Sequence, residues 1–338
     1  QVPNPQMPPS EWPSLACQPF SDMEGFAAMP LGDWLLAYPL SLQGMVLGIL
    51  LVREKNTSPV FWEKRMEIIT GIAQQVTMVI QNDLFKQEMV ENERIEREIQ
   101  LARQIQETFL PDSLPQLDGW ELDLRWETAR EVGGDFYDIF NLDDNRIALV
   151  IADVSDKGMP AALYMTVART LVRANAANHA SPARVLQEVN NLLVNDSPDS
   201  MFITAVYVIL DVQNSRITYS NAGHNRPLLY RRSLKAVEQL PKGGLAMGIY
   251  KDQELKDYTI DLHEGDVLVL FTDGVTDILS PQGESFGDDR LRQVIEQHGE
   301  EDVDTILEQL DDALSDFRQG ARQFDDITLV ALRRMLAS

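Results

Sequence analysis

The chain has 338 residues, 44% of them hydrophobic and 24% charged, which bounds it to about two globular domains. A formal net charge of -24 argues against a nucleic-acid ligand and against an anionic membrane surface, since both call for a basic face. The single cysteine, Cys17, permits no internal disulfide and suits a reducing cytoplasm.

The first ~20 residues are rich in proline and lack the basic start of a signal peptide. Trp34 to Val52 carries no charge and is about as long as a bilayer span, yet Pro39, Ser41, Gln43, Gly44 and Gly48 interrupt it. Two strands, Leu35 to Leu40 and Val46 to Val52, turning near Gln43 and Gly44, fit better than a membrane helix. A helix is predicted from Phe61 to about Phe85, where Met66, Ile69, Ile72, Ala73, Val76, Val79 and Ile80 recur at helical spacing. Ala37-Tyr38-Pro39-Leu40, Gly44 to Leu50 and Gly71-Ile72-Ala73-Gln74-Gln75-Val76 together resemble the closing half of a GAF domain, a sensing module. That resemblance implies a partial GAF α/β domain over 1–84, truncated at its N-terminus and lacking most of a ligand pocket.

A second, highly charged helix is predicted from Gln87 to Phe109, inside a linker spanning 85–112 and stopped by Pro111 and Pro115. Ile95, Ala102 and Phe109 share one heptad position, with Phe85, Ile99 and Gln106 on a neighbouring one. Two readings stay open: a parallel coiled coil that makes a homodimer, and a solvated connecting helix packed on its own domain. Over 113–338, strands are predicted at Glu121 to Trp126, Arg146 to Ala152, Phe202 to Leu210, Arg216 to Ser220, Val267 to Phe271 and Ile327 to Leu332. Helices are predicted near 160–177, 182–195, 288–297 and 303–317. Strands in groups and helices in blocks favour an α+β sandwich.

Aspartates sit where these strands end. Asp135 follows Gly133-Gly134, Asp153 ends an apolar run, Asp273 follows Phe271-Thr272, and Asp325-Asp326 precede the last strand. Aspartate is unfavourable within strands and costly when buried unpaired, so several that converge call for a hard cation such as Mg²⁺ or Mn²⁺. Singly, each is an ordinary turn residue. Val132 to Asp138, Ile151 to Gly158, Asn221-Ala222-Gly223-His224-Asn225, Leu270 to Asp277 and Phe324 to Val330 resemble, in this order, the signatures of metal-dependent protein phosphatases of the SpoIIE type.

The resemblance implies an α/β-β/α sandwich holding two Mn²⁺ or Mg²⁺ ions and hydrolysing phosphoserine or phosphothreonine on a protein. It implies that Asp153 bridges both ions, that the Val154 carbonyl binds one, that Asp273 and Asp325 bind the other, and that Asp135 acts nearby through water. Two metals activate a water for in-line attack, so no protein nucleophile is required. Asp138, Asp277 and Asp326 are read as backbone hydrogen-bonders or as parts of a looser third site, His224 as structural or as a general acid, and Lys157 as solvated or as a phosphate contact. Gly133, Gly134, Gly158 and Gly274 are expected to allow close approach or positive φ. The resulting expectation is a cytoplasmic bacterial phosphatase acting on a phosphorylated anti-sigma-factor antagonist of the STAS type and regulated by the N-terminal sensor, without nucleic acid or membrane insertion. The alternative is a non-catalytic signalling scaffold of the same fold.

Overall fold

Strands that are apolar at every position belong in a sheet covered on both sides, and this arrangement dominates the C-terminal two-thirds of the chain. The structure, a computed structural model, describes residues 29–30, 35–42, 45–53, 62–111, 113–196 and 201–336. Two compact units emerge, 1–96 and 97–338.

In the first unit, β1 (Met29–Pro30), β2 (Leu35–Leu42) and β3 (Met45–Arg53) form an antiparallel sheet in that order. The expected hairpin is thus present, while its turn at Gln43 and Gly44 lies outside the described residues. Among the described residues no helix is long and apolar enough to cross a membrane. Helix α1 runs unbroken from Trp62 to Glu107, where the sequence reading placed two helices, 61–85 and 87–109. The apolar stripe fades near Phe85, but no Gly or Pro stands between Ile72 and Glu107 to stop the helix. Early in α1, Ile69 and Ala73 are buried. Farther on, Met78, Val79, Phe85, Met89, Val90 and Ile95 are all exposed.

The second unit opens with β4 (Trp120–Glu127), β5 (Phe136–Asn141), β6 (Arg146–Val154), α2 (Met159–Ala176) and α3 (Pro182–Asp196). Next come β7 (Ile203–Asp211), β8 (Arg216–Ala222), β9 (Leu228–Arg231), β10 (Ala236–Gln239), β11 (Tyr258–Asp261) and β12 (Val267–Phe271). It closes with α4 (Asp273–Thr276), α5 (Gly287–His298), α6 (Val303–Arg318) and β13 (Ile327–Arg334). One five-stranded sheet has the order β11-β8-β7-β6-β5 and the other β10-β9-β12-β13-β4, with antiparallel neighbours throughout. Helices α2 and α3 pack on the first sheet, α5 and α6 on the second. This is the expected α/β-β/α sandwich.

Side chains alternate across each strand, and the two cores follow from that. On the second sheet Leu229, Leu268, Leu270, Val330 and Leu332 face the inter-sheet core. Their neighbours Tyr230, Val267, Val269, Phe271 and Leu329 face Ile295, Ile306 and Leu310 of α5 and α6. Strands β5, β9, β10 and β11 are short and escaped the sequence reading.

Candidate metal centre

Strand register decides which aspartates meet. Phe136 of β5 lies opposite Ala152 of β6, so the next residues outward, Asp135 and Asp153, come together at the strand ends. On the other sheet Phe271 lies opposite Leu329. The Thr272 N–H donates to the Thr328 carbonyl at 3.1 Å and the Thr328 N–H to the Thr272 hydroxyl at 3.0 Å, which sets Asp273 beside Asp325 and Asp326. A side chain at Gly274 would collide with the Asp326 carbonyl, so glycine is what lets these two loops touch.

The two sheets bring these ends together. Burial, followed by the charges of Asp273 and Asp325, pushes the Asp153 carboxyl up to about 7, and its hydrogen bond with Asp135 acts in the opposite sense. Asp135 is 2% exposed. Burial and the charges of Asp153 and Asp326 hold it well above the usual carboxylate range, against hydrogen bonds from Thr272 and Thr328. The Thr328 hydroxyl donates to Asp135 Oδ2 at 2.7 Å. Asp273 is raised by burial and by Asp325 and Asp277, and lowered by Lys157. Lys157 is not a free, solvated lysine: its Nζ donates to the Phe324 carbonyl at 2.6 Å and to Asp325 Oδ2 at 2.8 Å.

These groups fit a hard divalent ion. Five carboxylates, those of Asp135, Asp153, Asp273, Asp325 and Asp326, crowd one end of the sandwich with the Lys157 ammonium among them, and all-oxygen donors match Mg²⁺ or Mn²⁺. The Val154 carbonyl faces Gly134, where an added Cβ would stand 3.0 Å away, so the glycine keeps that oxygen accessible. Among the described residues no three acidic, histidine or cysteine side chains already close on one point as an ion cage. Proximity is nonetheless plain from the mutual effects on the acids. The aspartates are neighbours, not a closed cage, as like charges of this kind repel.

The remaining candidates fall outside the cluster or play another part in it. Asp326 accepts backbone N–H bonds from Ala129 at 2.7 Å, Gly134 at 2.7 Å and Asp135 at 3.4 Å, so it fastens the Asp135 loop to β13. Asp138 points away toward α2 and pairs with Arg169 at 3.0 Å. Asp277 is exposed at the end of α4. His224 is buried, with Nδ1 2.7 Å from the Thr204 hydroxyl; burial drives its pKa down to about 4, and its Nε2 has no full hydrogen bond. A neutral, enclosed imidazole is poorly placed to protonate a leaving group. Gly158, with φ of 80°, turns the Asp153 loop into α2.

Two contributors carried no sequence signal of their role. Gln106, read as a heptad residue, is buried; its amide donates to the Gly133 carbonyl at 2.7 Å and accepts from the Gly133 N–H at 3.2 Å. Arg130 brings its guanidinium to the Gly158 turn and has no ion-pair partner among the described residues.

Residues 143–335 match the family model described as Stage II sporulation protein E (SpoIIE). Protein IcfG of Synechocystis sp. is 33% identical over 264 residues, covering 70% of this chain but 41% of its own length, so the chain spans less than half of that relative. Phosphoserine phosphatase RsbU of Bacillus subtilis is 31% identical over 242 residues, covering 72% of this chain and 71% of RsbU. Among solved structures, the SiaA-PP2C domain of Pseudomonas aeruginosa superposes with a TM-score of 0.63 at 23% identity, over 72% of this chain and 98% of that one.

Proposed function

This chain belongs to the SpoIIE family, and from that premise we propose that it is a metal-dependent protein-serine/threonine phosphatase acting on a phosphorylated regulatory protein. The observation that carries the reading is the meeting of Asp153, from one sheet, with Asp273 and Asp325, from the other. In this reading Asp153, the Val154 carbonyl, Asp273 and Asp325 would hold Mn²⁺ or Mg²⁺, and Asp135 would act beside them. Two such ions, when bound, supply a water activated for attack and neutralise charge building up on the phosphoryl oxygens.

The chain's own residues do the rest. Asp326 and Gln106 fix the loop that carries Asp135. Lys157 holds Asp325 in one orientation. Arg130 offers a fork of N–H donors to the phosphoryl oxygens beside the Asp153 loop, a role that suits a guanidinium better than an ammonium. The likeness to a named phosphoserine phosphatase supports a phosphoserine substrate, and we place this chain on an anti-sigma-factor antagonist of the STAS type, in the cytoplasm. The N-terminal unit is proposed as the GAF-like sensor, and the exposed apolar side chains along α1 as the seam of a homodimer.

The test is hydrolysis of a phosphoserine peptide with Mn²⁺ by the wild type, Asp153→Asn and Asp273→Asn. Turnover is expected to fall on the order of a hundredfold or more in each variant, the scale of losing one well-placed electrostatic contact. Equal turnover by all three proteins would remove the two-metal reading, and no turnover by the wild type would leave a scaffold of the same fold.

A further inference from the structure

Beside the carboxylate cluster lies a cavity of about 180 Å³ that none of the roles above uses. Its walls include Gly274 and Asp277 on one side and Arg318, Arg322, Phe324 and Asp325 on the other. Because Asp325 and the residue next to Asp273 both line it, the cavity begins at the edge of the proposed reaction site. Its volume suits one side chain, not a second macromolecular surface.

The charge inside runs against that of the molecule as a whole. The chain carries a formal net charge of -24, yet two guanidiniums line this pocket. Of the two carboxylates that share it, Asp325 is already paired with Lys157 at 2.8 Å. That leaves Arg318 and Arg322 against Asp277 alone. Arg318 is held in place: its Nη1 donates to Gln323 Oε1 at 3.1 Å, and Gln323 Nε2 donates to the Asp325 carbonyl at 2.9 Å. Arg322 is exposed and has no partner among the described residues. One fixed and one free guanidinium form a receptor for a carboxylate, where paired N–H donors give strength and orientation. Phe324, 63% exposed, offers an apolar wall for the methylenes of an incoming side chain.

We propose that this cavity selects the substrate: it receives an acidic side chain, Asp or Glu, that lies close in sequence to the phosphorylated serine. The proposal rests on the phosphatase reading of the adjoining site. An extended chain advances roughly 3.3–3.6 Å per residue, so a pocket that starts at Asp325 is reached from one to three residues away. The Arg318 and Arg322 pair thus reads the sequence around the phosphoserine while the aspartate cluster acts on the phosphate.

The experiment compares kcat/KM with Mn²⁺ for phosphoserine peptides that carry Glu, Gln or Lys at each position within three residues of the phosphoserine, with para-nitrophenyl phosphate as a substrate that has no flanking chain. Wild type is expected to prefer Glu over Gln on the order of tenfold at one of these positions, the equivalent of about 1.4 kcal/mol. Arg322→Ala should shrink that ratio toward one, and Arg322→Glu should invert it in favour of Lys. Wild type that hydrolyses para-nitrophenyl phosphate and all the peptides without regard to the flanking charge would overturn the proposal alone. Wild type that hydrolyses none of them would overturn the phosphatase reading as well. A Glu preference that persists unchanged in both Arg322 variants would place the acidic contact elsewhere and also overturn it.

Discussion

Asp135 and Asp138 lie three residues apart, are 2% and 1% exposed, and have opposite surroundings. Asp138 projects from β5 toward α2, where Arg169 Nη2 stands 3.0 Å and Arg173 Nε 3.8 Å away, with the Arg173 guanidinium 4.9 Å over the Phe140 ring. Burial raises Asp138 and lowers Arg169, and each charge partly restores the other. Among the described residues Asp135 has no cation of its own. It has hydroxyls from Thr272 and Thr328 and two further carboxylates, Asp153 and Asp326, that push it up. A buried charge is tolerated when paired and costly when alone. Where the fold supplies an arginine, the carboxylate is an internal fastening; where it gathers carboxylates among hydroxyls, the one offsetting cation among the described residues is Lys157, beside Asp325.

Removing one charge from each region sharpens this contrast most. Asp138→Asn leaves Arg169 buried without its counter-charge and is expected to cost about 3–5 kcal/mol in urea unfolding. Asp135→Asn removes repulsion from its own cluster, so in the presence of a chelator its stability should match or exceed that of wild type. Equal losses in the two variants would break the distinction between a self-compensated and an open carboxylate.

His224 shows another solution, burial in the neutral form. Its folded pKa of about 4 lies below the ordinary 6.5, so the unfolded chain takes up the proton first. Its share of the stability is complete above pH 6.5 and drains away as pH falls toward 4, by about 3 kcal/mol over the whole window. His224→Gln should flatten the urea-unfolding free energy between these two pH values relative to wild type. An unchanged slope would assign the acid sensitivity to the aspartates of either region.

Much of this was legible before the structure. Apolar runs such as Ile147 to Ala152 and Val267 to Phe271 give strands covered on both faces, and the aspartates that follow them mark the ends where the two sheets open. The four short strands β5, β9, β10 and β11 were not legible, because four to six residues of mixed polarity leave no period to count. Side-chain direction was hidden as well. Asp138 sits in the same signature as Asp135, and only the alternation of β5 turns it toward α2. Asp325 and Asp326 are adjacent and both border the cluster, yet one pairs with Lys157 and the other ties down backbone. The unity of α1 was hidden because its amphipathicity fades near Phe85, whereas a helix ends at a cap or a breaker and neither stands there.

The smallest expected effect concerns how the open region is held without ions. The Asp135 loop is gripped twice: Gln106 from the end of α1 takes both backbone groups of Gly133, and Asp326 takes the N–H groups of Gly134 and Asp135. Gln106→Ala leaves a buried donor and acceptor at Gly133 unmatched and should cost about 1–3 kcal/mol. Gln106→Glu keeps the acceptor for the Gly133 N–H but loses the donor to its carbonyl, and adds a negative charge where the cluster already repels, so it should be no better than alanine above the glutamate pKa. Because both grips act on neighbouring peptide groups, Gln106→Ala and Asp326→Ala should not add: a coupling of about 0.5 kcal/mol or more is expected in a double-mutant cycle. Faster hydrogen exchange at Gly134 and Asp135 in Gln106→Ala alone would show that the amide steadies the whole loop. Strict additivity with unchanged exchange would mean that Gln106 fastens only Gly133, and that Asp326 holds Asp135 without it.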